Sequence, residues 1–214
     1  HAVAKAPPHP RIEETLDIAI RIIGMIIGGS QLSPINSVSP LLYFTGILYI
    51  LFGQGGNLLA LRAKSNLDEE KSNFYFTVSI LGIIIVSLIY IAAIFFFADN
   101  ILHLLNIPSN IFYQAKSYLF VIMFFYPLNC FVIVISYFIR SDGYPNLPFY
   151  SVLIANVTNI IVDVIFLKYF NMGIDGAALA TVVGYAVGVA YISKYLFSKR
   201  RTFKFVSLPK LKMM

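Results

Sequence analysis

The sequence predicts an all-α integral membrane protein, a polytopic bundle of five clear transmembrane helices plus a truncated first helix. Three observations predict it. Of 214 residues, 58% are hydrophobic and only 12% are charged, far from the roughly 25% charged residues of an average soluble domain. Mean hydropathy is +0.78. The apolar residues also come in long blocks, and a bilayer core about 30 Å thick needs roughly 20 such residues in a helix.

Composition excludes several function classes. The net charge is +6, from 16 Lys and Arg against 10 Asp and Glu. Most of the basic residues flank apolar blocks, where orientation signals belong, so the charge does not point to nucleic acid. The single cysteine, Cys130, rules out a disulfide framework within one chain, and no Cys/His cluster suggests a metal site.

Taken in order, residues 1–15, "HAVAKAPPHPRIEET", are polar and Pro-rich. They have no signal-peptide core and are expected to be a disordered lead-in outside the fold. The helical bundle is expected over residues 16–198, and a basic cytoplasmic linker over 199–214. Leu16–Gly28 contains Asp17 and Arg21 and turns polar at "GGSQLSPINS". It is too short to span and reads as the outer half of a first helix.

The five blocks follow. Leu41–Leu61 is interrupted by "GQGGN". Phe74–Ala98 is the most hydrophobic. Ser117–Ile139 holds Pro127 near its centre, where a kink is expected. Phe149–Leu167 and Gly176–Phe197 complete the set. Gly and Pro punctuate the connection "RSDGYPNLP". Ala98–Asn110 is expected to form a short interfacial helix before Pro108, with His103 in a solvated loop. Tyr75, Tyr113 and Tyr195 read as interface anchors.

Lys and Arg placement sets the orientation. The 62–73 loop, the Arg140 loop and the C-terminal tail lie on one side and carry eleven basic residues, whereas the opposite side has Lys116 and Lys168 alone. The richer side is expected to be cytoplasmic.

One block carries chemistry. In "NVTNIIVDVIFLKYF", Asn156, Asn159 and Asp163 follow i, i+3, i+7 spacing and share one helix face. A carboxylate at the centre of a span costs about 2.5–3.5 kcal/mol on insertion scales, so this stripe must face the bundle interior or a water-filled cavity. The following block repeats small residues at every fourth position, Gly176, Ala180, Gly184 and Gly188, which lets helix backbones approach closely. Thr181 lies beside that ridge. Its hydroxyl, the Asn159 carbonyl and the Asp163 carboxylate are hard oxygen donors suited to Na⁺, or the acid can take a proton. The alternative is that Asn and Thr act only as interhelical hydrogen-bond glue.

The stretch Ile139–Gly184, "IRSDGYPNLPFYSVLIANVTNIIVDVIFLKYFNMGIDGAALATVVG", resembles the N-terminal lobe of the multidrug and toxin extrusion (MATE) transporters. It has the arginine, the Gly/Pro turn, the Asn-x-x-x-Asp helix and the "GAALAT" helix of that pattern. "GQGGNLLALRAKSNLDEEKS" is similar to the family's second helix and first cytoplasmic loop, without the glycine usual in that loop. The resemblance implies one six-helix lobe of a two-lobe secondary antiporter in the plasma (inner) membrane. It would export small organic cations in exchange for Na⁺ or H⁺, with the second lobe still to be supplied. It implies no enzyme activity and no cofactor beyond the coupling ion. It further implies a cation or proton site at Asp163, Asn159 and Thr181, with Asp17 as the first-helix acid. Asn156 is a candidate for the cavity lining. Lipid-linked oligosaccharide flippases share the superfamily, and an inactive or regulatory membrane fragment is the remaining alternative.

Overall fold

The computed structural model describes residues 29–199 and 201–206. Asp17 and the expected half-helix Leu16–Gly28 lie outside the described residues. Within them the chain forms five helices long and apolar enough to cross a membrane: α1 (Ser33–Ser65), α2 (Glu69–Leu104), α3 (Phe112–Ser141), α4 (Asn146–Tyr169) and α5 (Gly173–Phe197). Each contains one of the five apolar blocks and overruns it, because polar end residues continue the helical hydrogen bonding that the apolar middle begins.

Local chemistry sets the ends. Asp68 caps α2, its carboxylate accepting from the Lys71 amide at 2.9 Å, and Glu69 and Glu70 follow in the first turn, where the helix dipole favours acids. Four helix ends close on a residue with positive φ: Leu67 (60°), Asn106 (52°), Gly143 (89°) and Asn171 (51°). After the first three, the next amide reaches five residues back: Asp68 to Ala63, Ile107 to Leu102 and Tyr144 to Ile139; after Asn171, Met172 reaches six back to Phe166. This geometry recovers carbonyls that a helix end leaves orphaned.

The structure corrects the sequence reading in three places. "GQGGN" does not interrupt α1. The helix passes through it as a π-helical stretch, Ile50–Gly55, because neighbours close in: a Cβ on Gly53 would lie 2.6 Å from the Tyr137 ring. The short helix expected within Ala98–Asn110 is there: α2 breaks at Phe97 (φ −114°, ψ 16°), and a second helical segment follows the kink to Leu104. His103 therefore sits in the last helical turn, exposed, its ring 4.8 Å from Phe112. Tyr195 is no interface anchor. It is 2% exposed, and its hydroxyl donates to Asp142 at 2.7 Å.

Helix α3 is central. Leu119, Ile122, Met123, Val134, Ile135 and Phe138 are all buried, and α1, α2 and α5 pack around it. It runs through Pro127 as one helix. The outward faces carry exposed apolar side chains such as Ile47, Leu51, Leu58, Ile85, Ile89 and Phe96, as lipid requires.

Helix α1 has a break of its own at Thr45, between Gly29–Phe44 and Gly46–Tyr49. Side-chain hydroxyls meet the carbonyls there. Tyr90 donates to Leu41 O at 2.8 Å, and Thr45 and Tyr126 both reach Leu42 O. Tyr126 OH also lies 2.6 Å from Thr45 Oγ1 and accepts from Tyr49 OH at 2.6 Å.

Candidate functional site

Helices α4 and α5 pack together more extensively than any other pair, and their sequences explain why. Gly176, Ala180, Gly184 and Gly188 are all buried. A Cβ on Gly184 would sit 2.9 Å from the Ala155 carbonyl oxygen and 3.2 Å from Asn159 Cβ, and one on Gly188 would sit 3.3 Å from Ala155 Cβ. Without side chains at these positions, the backbones come close enough for Ser151 Oγ to donate to Gly188 O at 2.9 Å. The small-residue ridge is thus the surface on which α4 lies.

That contact orients the polar stripe. Leu153, Val157, Ile161 and Ile165 recur every fourth residue and are exposed on the outer face of α4. Asn156 and Asn159 on the opposite face are half-buried, and Asp163 is 1% exposed. Asn159 Nδ2 donates to Thr181 Oγ1 at 3.3 Å, while Thr181 gives its own proton to Ala177 O at 3.0 Å. Asn159 and Thr181 are therefore brought together across the helix pair, and the Asn159 amide keeps Oδ1 as its acceptor end.

Asp163 lies one turn further along α4. Both of its carboxylate oxygens are buried with no hydrogen-bond partner, and it makes no hydrogen bond to Asn159 or Thr181. One residue later the α-helix gives way to a π-helical turn, Ile165–Tyr169. Such turns widen the helix and recur at functional sites. Tyr118 of α3, also buried, lies within electrostatic range of Asp163. Sequence reasoning missed Tyr118. It sits at the start of its block, directly after Lys116 and Ser117, where a tyrosine reads as one more interface anchor.

A buried carboxyl without a donor constrains the chemistry. As a bare anion it would carry an uncompensated desolvation cost of several kcal/mol. It holds a proton, or a cation comes to it. Hard oxygens at Asp163, Asn159 and Thr181 suit Na⁺ as well as H⁺. Among the described residues no group of three or more His, Cys, Asp or Glu is placed to hold a metal.

The MatE family model matches residues 13–165. Among curated relatives, the multidrug export protein MepA of Staphylococcus saprophyticus is 29% identical over 180 residues, 84% of this chain and 40% of that protein. The probable multidrug resistance protein YoeA of Bacillus subtilis is 22% identical over 192 residues, 88% of this chain and 42% of that protein. The fold superposes on an inward-facing multidrug resistance MATE transporter of the MOP superfamily with a TM-score of 0.82, at 20% identity, over 96% of this chain and 48% of that one. The Vibrio cholerae MATE transporter VcmN in its bent form gives 0.80 at 19% identity, over 93% and 47%. The chain thus spans about two fifths of these curated relatives and about half of these solved transporters. With the family model covering most of its length and five membrane-spanning helices in the matching arrangement, this chain belongs to the MatE family.

Proposed function

We propose that the chain is one lobe of a secondary antiporter that exports organic, often cationic, compounds in exchange for inward Na⁺ or H⁺. It works with a second six-helix lobe, and substrate passes between the two, as repeat-built transporters generally require. The observation that carries the reading is Asp163, a buried carboxyl on a membrane helix with both oxygens unpartnered. An intramembrane acid in this state is a place to load and release a positive charge. The multidrug export and resistance relatives support a transporter over an enzyme.

In this scheme Asp163 is the coupling acid, and Asn159 and Thr181 supply neutral oxygens beside it. Asp17 is the first-helix acid, and Asn156 lines the cavity above. Loading the acid neutralises it and lets α4 settle against its neighbours, while unloading restores a charge that attracts a cationic substrate. The protein sits in the plasma membrane with its basic loops and tail in the cytoplasm, following the eleven-to-two distribution of Lys and Arg.

The test is efflux from vesicles holding the chain joined to, or co-expressed with, a second lobe. Efflux of an organic cation should follow an imposed Na⁺ or H⁺ gradient and be lost in Asp163→Asn. Gradient-driven efflux that is unchanged in Asp163→Asn would refute the assignment and leave the stripe as packing glue.

A further inference from the structure

The C-terminal tail reads as a basic linker, yet residues 201–206 are docked. The amides of Thr202, Lys204 and Val206, every second residue, each donate to a side-chain oxygen of the lobe. Thr202 N reaches Asp142 Oδ2 at 2.9 Å, Lys204 N reaches Asn73 Oδ1 at 2.8 Å, and Val206 N reaches Thr77 Oγ1 at 2.9 Å. An extended chain normally finds such partners on a neighbouring strand. Here helix side chains supply an acceptor row with the same two-residue period.

The side chains between these amides pack against the same lobe. Phe203 is 1% exposed, with ring centroids 5.7 Å from Phe76 and 5.3 Å from Phe138. Phe205 lies 5.0 Å from Phe76. Lys64, from the end of α1, stands 5.1 Å over the Phe203 ring and donates to Thr202 Oγ1 at 2.7 Å. Asp142 is the hub. Its side chain is 1% exposed, and it takes Thr202 through both amide and hydroxyl, Tyr195 OH at the end of α5, and Lys64 Nζ at 3.4 Å.

We propose that Arg201–Val206 is a latch that ties the ends of α1, α2, α3 and α5 on the Lys- and Arg-rich side to one another, with Phe203 as plug and Asp142 as hub. Docked, it holds these ends as one block, and whatever pulls on the chain beyond Val206 pulls on all four. Released, it frees the ends to separate.

Hydrogen exchange on the full chain in detergent micelles reads the docking. A distance distribution between spin labels at the exposed positions Ser65 (α1) and Arg140 (α3) reads the tying. The amides of Thr202, Lys204 and Val206 should exchange at least ten-fold more slowly than in a free peptide. Phe203→Ala should bring them to the free rate and widen the distribution. Thr202→Pro removes one donor outside every helix and should do the same, so a failure of Phe203→Ala to fold leaves the test standing. Free-peptide rates in the unmodified chain, or protection that survives both variants, would overturn the latch. A distribution that stays unchanged once protection is lost would overturn it too. None of these readouts needs transport, so the result is separable from the role given to Asp163.

Discussion

Asp163→Val should make the lobe more stable while removing the group assigned to coupling. The Asp163 side chain is 1% exposed and both oxygens lack partners. An unsatisfied buried polar group costs about 1–3 kcal/mol. Valine is close in size and apolar, and its helix propensity is about that of aspartate, so none of the gain is lost to propensity. The net gain is therefore about 1–3 kcal/mol, or roughly 2–12 °C in unfolding midpoint for a chain of this length. With no tryptophan in the sequence, the buried Cys130 is the natural reporter. A thiol-reactive dye added during heating in detergent labels it as the core opens. A midpoint that falls by several degrees would refute the reasoning, because it would mean the carboxyl holds the lobe together through partners of its own.

Three further outcomes follow from the geometry. Gly184→Leu should destabilise the lobe by about 1–3 kcal/mol, since even a Cβ there meets the Ala155 carbonyl oxygen at 2.9 Å and overpacking moves backbone; the same substitution at the exposed Ala186 should be neutral in the thermal assay. Leu67→Gly should stabilise by about 0.5–1 kcal/mol, because Leu67 is 92% exposed at φ 60°, where a side chain strains the backbone and contributes no packing; an unchanged or lower midpoint would contradict this. Acid should release residues 201–206. Burial opposes ionisation of Asp142, but the hydroxyl and amide of Thr202, Tyr195 OH and Lys64 outweigh it and hold its carboxyl below the ordinary value of 3.8. A carboxyl lowered on docking stabilises the docked form in full above its undocked value. That contribution shrinks as pH falls through the undocked value and is gone below the docked value, both set by how many of these partners remain. Amide exchange at Thr202 across this window, extrapolated to a common intrinsic rate, measures the loss, and Asp142→Asn should abolish the pH dependence.

The spans and the polar stripe were legible because both are periodic. Length and apolarity mark a bilayer crossing, and i, i+3, i+7 spacing puts Asn156, Asn159 and Asp163 on one face whatever the neighbours are. The Gly176–Gly188 ridge was legible for the same reason. What escaped depends on contacts distant in sequence. Asp142 in "SDG" reads as an ordinary turn residue, and Phe203 in "RRTFKF" reads as an apolar residue stranded in a basic tail. The bond from Thr202 to Asp142 spans 60 positions, Phe203 meets Phe76 and Phe138 from further still, and no local pattern encodes either. The π-helical stretches were invisible too, since they answer to the Tyr137 ring packed against Gly53 and to the α4–α5 turn rather than to propensity. Asn159 and Thr181 were paired correctly as neighbours. The absence of a hydrogen bond from either to Asp163 could not be read from spacing.

The break in α1 at Thr45 changes how that helix can move. A backbone ladder in lipid is brittle: bending it strips carbonyls of amide partners, and no water replaces them. At Thr45 the exposed carbonyls of Leu41 and Leu42 are held by hydroxyls of Tyr90, Tyr126 and Thr45, which turn about their own C–O bonds and can follow a carbonyl as it swings. The joint is therefore oiled rather than welded. A bend at Thr45 would thus leave the Leu41 and Leu42 carbonyls with donors of their own, so the two halves of this membrane helix meet at a pin rather than along a rigid rod.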